Sequence, residues 1–197
     1  CKDSGKETTH DVIWIAKKRP KSTAYRFDTN MHFQYHGEWK KKQIGDLVDS
    51  PSLQGSAFML TREKYWELNI CDEDLGSWGQ QGVEVALKTW LSGGRVIINK
   101  RTWYAHMFRT QGGDFGFPYP NTVNMEKLRA KTKDLFVGDN WAKAKNTFAW
   151  YLDKFKPLPG WHDNTVDKNI GDMEIPNDDE KGIIFFTDNQ LNIKIAS

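Results

Sequence analysis

The stretch Gln81-Gly82-Val83-Glu84-Val85-Ala86-Leu87-Lys88-Thr89-Trp90-Leu91-Ser92-Gly93-Gly94-Arg95-Val96-Ile97-Ile98-Asn99 decides the fold class. Val83, Leu87, Trp90 and Leu91 recur at helical spacing and form one apolar stripe, which predicts a helix over Gln81–Ser92. Glu84 and Lys88 stand four residues apart on another face, as an i, i+4 ion pair does. Gly93-Gly94 stops the helix where a left-handed C-terminal cap is needed. Arg95–Asn99 then carries Val96, Ile97 and Ile98, a short apolar run that reads as a buried-type strand. A helix returning through a tight glycine turn into a strand is the idiom of an α/β domain.

Working outward, Thr102–Met107 reads as a further strand and Ala57–Leu60 as another. Thr61 is placed to cap a helix over Arg62–Leu68, with Glu63 in its first turn. Cys71–Gly79 is an acidic loop. Phe27, Met31, Phe33 and Tyr35 fall at even spacings, which predicts an edge strand with loops over Phe27–Tyr35. Gly37–Ser52 reads as a polar excursion. Val12–Ile15 is a short strand-like run. Thr110–Pro120 is a loop rich in Gly, Phe and Pro. Helices are expected over Asn124–Phe136 and Asn140–Phe155, and Pro157–Glu180 reads as a linker. Gly182–Thr187 and Asn189–Ala196 look like the first strand and helix of another α/β unit. The expected division is 1–26 as an N-terminal segment, 27–156 as the main domain with trailing helices, 157–181 as linker, and 182–197 as the start of a truncated second unit.

Composition narrows the function classes. The 197 residues are 38% hydrophobic and 27% charged, enough for one good core. Nine tryptophans suit either an aromatic core or rings that stack on sugars or bases. A net charge of +2, spread along the chain, argues against nucleic acid as a partner. Lys40–Lys42 reads as a solvated loop. Two cysteines, Cys1 and Cys71, imply no disulfide framework, so a cytoplasmic location is the expectation. No apolar run is long enough for a transmembrane segment. The chain opens on Cys rather than Met and reads as a fragment or a processed piece.

Single motifs decide little. His106 sits among apolar and aromatic residues, where it is either a core histidine or a ligand. The order of the motifs is more informative. Phe27-Asp28-Thr29-Asn30-Met31-His32-Phe33 is followed by Gln54-Gly55-Ser56-Ala57-Phe58-Met59-Leu60. Next come Asp72-Glu73-Asp74-Leu75-Gly76-Ser77-Trp78-Gly79-Gln80-Gln81-Gly82-Val83-Glu84, then Trp90-Leu91-Ser92-Gly93-Gly94, then Tyr104-Ala105-His106-Met107-Phe108-Arg109. This series resembles the C-terminal half of the catalytic domain of polypeptide N-acetylgalactosaminyltransferases, GT-A fold glycosyltransferases of the family 2 type. The matching order there is F-D-W-x-L-x-F, G-G-L/A-F, Y-D-x-x-M-x-x-W-G-G-E-N, C-G-G and G-H-V-F-R, and the similarity spans roughly residues 27–120.

The resemblance implies part of a GT-A mixed sheet flanked by helices. It also implies sugar transfer from a nucleotide-sugar donor to a sugar or protein acceptor, with Mn²⁺ or Mg²⁺ holding the diphosphate. His106 takes the place of the family's metal-ligating His, and Arg109 that of the Arg beside the diphosphate. Gly55 and Ser56 match the Gly-Gly that passes under the donor sugar, and Trp78 matches the Trp that borders it. Gly112, Gly113, Phe115 and Gly116 fall in the family's lid loop. Gln81 stands where the family has a Glu, and an amide cannot serve as a base. Glu84, one turn on, is the nearest carboxylate, either as a stand-in base or as the partner of Lys88. The family's Asp-x-Asp or Asp-x-His ligand lies in a preceding half-domain that the 26 residues before Phe27 cannot hold, so that half is an implied partner. The alternative is a non-catalytic carbohydrate-binding or structural module derived from the same fold. Nucleic-acid or nucleotide binding is a third reading, and the scatter of Lys and Arg counts against it.

Overall fold

The computed structural model describes residues 22–75, 80–106 and 124–162. Within them α3 (Gln81–Leu91) is the central element, with nine of its 11 residues buried. The expected stripe of Val83, Leu87, Trp90 and Leu91 lies in the core. Gly93, at φ +89°, closes the helix: its amide donates to Trp90 O and that of Gly94 to Thr89 O. This is the left-handed cap that the glycine pair predicts.

Before α3 come β1 (Tyr25–Phe27), β2 (Phe33–Tyr35), α1 (Gly37–Lys42), β3 (Leu47–Asp49) and α2 (Arg62–Glu67), then a 3-10 turn over Glu73–Leu75. After it come β4 (Ile97–Asn99), α4 (Met125–Val137) and α5 (Phe148–Lys154). Helices and small antiparallel sheets make a mixed α/β arrangement. β1 pairs with β2 in the register Tyr25↔Tyr35, Arg26↔Gln34 and Phe27↔Phe33. β3 pairs with β4 as Leu47↔Asn99, Val48↔Ile98 and Asp49↔Ile97. Both pairs are antiparallel two-stranded ribbons.

Several boundaries differ from the expectation, each for a visible reason. The edge strand with loops expected over Phe27–Tyr35 is a hairpin whose first strand begins at Tyr25. Asp28 turns the chain: its Oδ1 accepts from the amides of Asn30 at 2.8 Å and His32 at 2.9 Å, and Met31 takes φ +62°. Gly37–Ser52 holds α1 and β3 instead of an unstructured excursion. Ala57–Leu60 forms no strand, and Met59 is 99% exposed. β4 begins two residues late, and Ile97 and Asn99 face solvent, so it is a ribbon edge. Residues 102–106 have no regular structure.

The helix expected from Asn140 starts only at Phe148. The amides of Lys145 and Asn146 donate to Leu91 O at 2.7 and 2.9 Å, and Asn146 Nδ2 donates to Trp90 O. They satisfy carbonyls left open at the end of α3 and are lost to a local helix. Thr147 then caps α5, accepting from Trp150 N at 3.1 Å. Thr61 and Asn124 cap α2 and α4 in the same way, accepting from Lys64 N and Lys127 N.

The core lies between α3, α5 and the β1–β2 hairpin. The ring of Phe27 stacks on Tyr151 at 5.7 Å, and Trp90 meets Phe155 edge-on at 4.9 Å. The polar groups of Trp90 and Tyr151 are satisfied by the segment that leads to the site: Trp90 Nε1 donates to Ser50 O, and Tyr151 Oη donates to Pro51 O. Leu158 and Trp161, at the start of the expected linker, pack on the same core, with Trp161 Nε1 donating to Phe27 O. The expected strand Val12–Ile15 and the unit at 182–197 lie outside the described residues.

Candidate functional site

Three segments meet at the N-terminal end of α3. The first is the loop 53–56. A Cβ on Gly55 would lie 2.9 Å from Gly82 N and 3.1 Å from Gln81 Cβ, and a Cβ on Gly82 would collide with the Leu53 carbonyl. Two facing glycines therefore let this loop lie directly on the first turn of the helix. The second segment is the β1–β2 turn, tied to α3 by Gln80 Nε2, which donates to Met31 O at 3.3 Å. The third is the irregular stretch 102–106. Ser56 Oγ and Tyr104 Oη are 2.7 Å apart, and Tyr104 Oη donates to Gln54 Oε1 at 3.0 Å. Because the phenol proton is given to Gln54, Ser56 is the donor in its own bond with Tyr104.

Gln81 projects from this end, and its Nε2 donates to Cys71 Sγ at 2.8 Å. The Cys71 thiol is exposed and unpaired by any disulfide. Its hydrogen bond to Tyr65 is the main reason that the Tyr65 pKa is raised.

Behind Gln81 lies a buried charge network. Lys88 Nζ donates to Glu84 Oε1 at 2.8 Å, to Asn69 O at 2.6 Å and to Asp72 Oδ2 at 3.3 Å. Glu84 Oε1 also accepts from Asp72 N at 3.0 Å. Glu84 is 3% exposed and Lys88 fully buried, so this i, i+4 pair is internal to the protein. Burial tends to raise the Asp72 pKa, but the Asp74 amide and Lys88 outweigh it and hold the carboxyl below its ordinary range. The network fixes the acidic loop against α3.

On the other flank, the rings of Tyr25, Phe33 and Tyr35 lie 5.5 to 5.9 Å apart. Burial raises the pKa of Tyr25 and Tyr35, and the neighbouring phenol of Tyr104 adds to both shifts. Tyr104 therefore stands beside this aromatic group. His106, two residues on, is exposed, and packing around its ring lowers its pKa and favours the neutral imidazole.

Of the residues singled out from sequence, Gly55, Ser56 and Gln81 come together here. Glu84 lies one turn behind them, and His106 follows Tyr104 along the chain. Trp78, Arg109, Gly112, Gly113, Phe115 and Gly116 lie outside the described residues. Gln54, Cys71 and Tyr104 were not anticipated. Gln54 and Tyr104 open two of the motif stretches, which is the signal that could have found them.

No family model matches the chain. It is similar to several curated glycosyltransferases. It is 32% identical over 168 residues to a putative polypeptide N-acetylgalactosaminyltransferase 9 of Drosophila melanogaster, covering 68% of this chain and 25% of that protein. Against a probable N-acetylgalactosaminyltransferase 9 of Caenorhabditis elegans it is 26% identical over 153 residues, covering 75% and 24%. Against a putative polypeptide N-acetylgalactosaminyltransferase 13 of Drosophila melanogaster it is 32% identical over 98 residues, covering 47% and 17%. The chain thus spans a quarter or less of the length of these relatives, and the similarity supports a glycosyltransferase family.

Proposed function

We propose that this chain forms the sugar-facing part of a glycosyltransferase that moves a sugar from a nucleotide-sugar donor to a polypeptide or sugar acceptor. The observation that carries the reading is the meeting of loop 53–56, the first turn of α3 and the 102–106 stretch. These are three of the motifs whose order resembles the relatives, brought to one place by contacts between residues far apart in sequence. The relatives' names point to N-acetylgalactosamine as the sugar and a polypeptide as acceptor.

The roles follow from the chemistry. Gly82 is buried under loop 53–56 and lets half-buried Gly55 lie on the helix, where a small residue leaves room for a sugar to approach the loop. Gln81 offers an amide, which can bind a hydroxyl but cannot remove its proton. Glu84 already accepts from Lys88 and from the Asp72 amide, so its part is to hold the loop in place. The neutral imidazole favoured at His106 is the form that ligates a cation, and His106 would be one ligand of Mn²⁺ or Mg²⁺. Among the described residues no group of three or more His, Cys, Asp or Glu side chains could hold a metal ion, so the remaining ligands would come from elsewhere. Such a cation, when bound, neutralises charge developing on the leaving diphosphate. Arg109 would pair with the same diphosphate, and the loop with Gly112, Gly113, Phe115 and Gly116 would exclude water.

Isothermal titration with uridine diphosphate, with and without Mg²⁺, tests this reading on the protein expressed from its complete reading frame. Binding should require the cation and weaken in His106→Ala. Equal affinity with and without Mg²⁺ would remove the metal from the proposal.

A further inference from the structure

Tyr104 is held in an unusual way for an exposed residue. The residue is 45% exposed, yet its hydroxyl is fixed on both sides, by Ser56 at 2.7 Å and Gln54 at 3.0 Å. These bonds join segments 48 and 50 residues apart. The loop that carries Gln54 and Ser56 is itself locked, because Gly55 lies against Gln81 and Gly82. A ring face is therefore presented to solvent at a set angle, beside a hydroxyl and an amide that share one hydrogen-bond chain. The half-buried rings of Phe33 and Tyr35 pack edge-on at 5.5 Å, and the Tyr104 phenol is near enough to add to the raised Tyr35 pKa.

An aromatic face bordered by aligned donors and acceptors matches a pyranose. The C–H groups of one sugar face pack on the ring, and equatorial or axial hydroxyls reach the polar edge. Because the groups are already ordered, binding loses little further side-chain entropy. We propose that Tyr104, with Gln54 and Ser56, is a sugar-ring subsite, and that the Tyr104 hydroxyl determines which hydroxyl configuration is accepted. This rests on the reading of the Gly55–Ser56 segment as sugar-facing, and it adds Gln54 and Tyr104, to which the resemblance assigns no role.

The test uses this chain with two probes. Methyl N-acetyl-α-galactosaminide and its C4 epimer, the glucosaminide, are titrated while the backbone amide signals of Gln54 and Ser56 are followed by NMR. Uridine diphosphate with Mg²⁺ is titrated separately into the protein from the complete reading frame, because the remaining metal ligands would come from outside the described residues. The wild-type chain should show shifts at both amides and prefer one epimer. Tyr104→Ala should weaken sugar binding about tenfold, as loss of a stacking face and a hydrogen bond implies. Tyr104→Phe should keep the stacking and lose the epimer preference. Both variants should retain the wild-type circular dichroism spectrum, because the residue is half exposed.

Unchanged affinity and epimer preference in both variants would overturn the subsite, as would a wild-type chain that binds neither glycoside. Nucleotide binding with no sugar binding would remove the subsite and leave the transferase reading standing. Sugar binding that depends on Tyr104, with no nucleotide binding, would uphold the subsite and count against the transferase reading.

Discussion

Lys88→Met isolates the buried charge network behind the candidate site. Methionine is close to lysine in length and fills the same space, so the change removes charge and hydrogen bonds with little loss of packing. It deletes the ammonium that donates to Glu84, Asp72 and Asn69 O. Asp72 is partly exposed and can be rehydrated, whereas the Glu84 side chain is 4% exposed and would keep only the Asp72 amide. Stranding one buried carboxylate costs about 3–5 kcal/mol. That is a large share of the ~5–15 kcal/mol that holds a typical domain together.

Urea unfolding followed by far-UV circular dichroism at neutral pH measures the loss. Adding Glu84→Gln to Lys88→Met removes the stranded charge and should recover ~1–3 kcal/mol, a coupling expected of residues in contact. The pH dependence has a defined sign. The Asp72 pKa is depressed in the folded protein, so its contribution is present above the unfolded value of 3.8 and is lost as pH falls through the lower folded value. Lys88→Met should flatten that acid loss. A cost below about 1 kcal/mol, or strictly additive double-mutant energies, would refute the network as described.

Two further substitutions probe the scaffold of the site. Leu87→Ala, at a fully buried position of α3, should lower stability by about 2–5 kcal/mol in the same urea assay. Gly82→Ala should cost ~1–3 kcal/mol, because its methyl group would meet the Leu53 carbonyl and the Gly55 amide. It should also broaden or shift the NMR signals of Gln54 and Ser56, whereas Leu87→Ala should leave any fully folded population with unchanged shifts there.

α3 was legible because its stripe has a helical period and Gly93 ends it, both local signals. The caps at Thr61 and Asn124 are local too. Of the misread elements, one turns on a short-range side-chain bond and another on a distant partner. Even spacing through Phe27–Tyr35 shows strand and loop but not the reversal, which the Asp28 carboxylate makes by accepting from the amides two and four residues on. Phe148–Lys154 loses its expected first turns because Lys145 and Asn146 are drawn to Leu91 O, a contact that no window of sequence contains. The same holds for the site. The order of motifs brought Gly55, Ser56 and Gln81 into view, while Gln54 and Tyr104 emerge only when loop 53–56 and the 102–106 stretch are seen to touch.

Turnover tests the central claim most directly. The protein from the complete reading frame is incubated with uridine diphosphate N-acetylgalactosamine, Mn²⁺ and a library of polypeptide acceptors, and the peptides are read by mass spectrometry. The expected result is one added sugar per modified site with an equal amount of uridine diphosphate released, abolished by chelation of the metal and strongly reduced in His106→Ala. No modified peptide and no donor turnover, under conditions where the 32% identical Drosophila melanogaster relative modifies the same library, would contradict it.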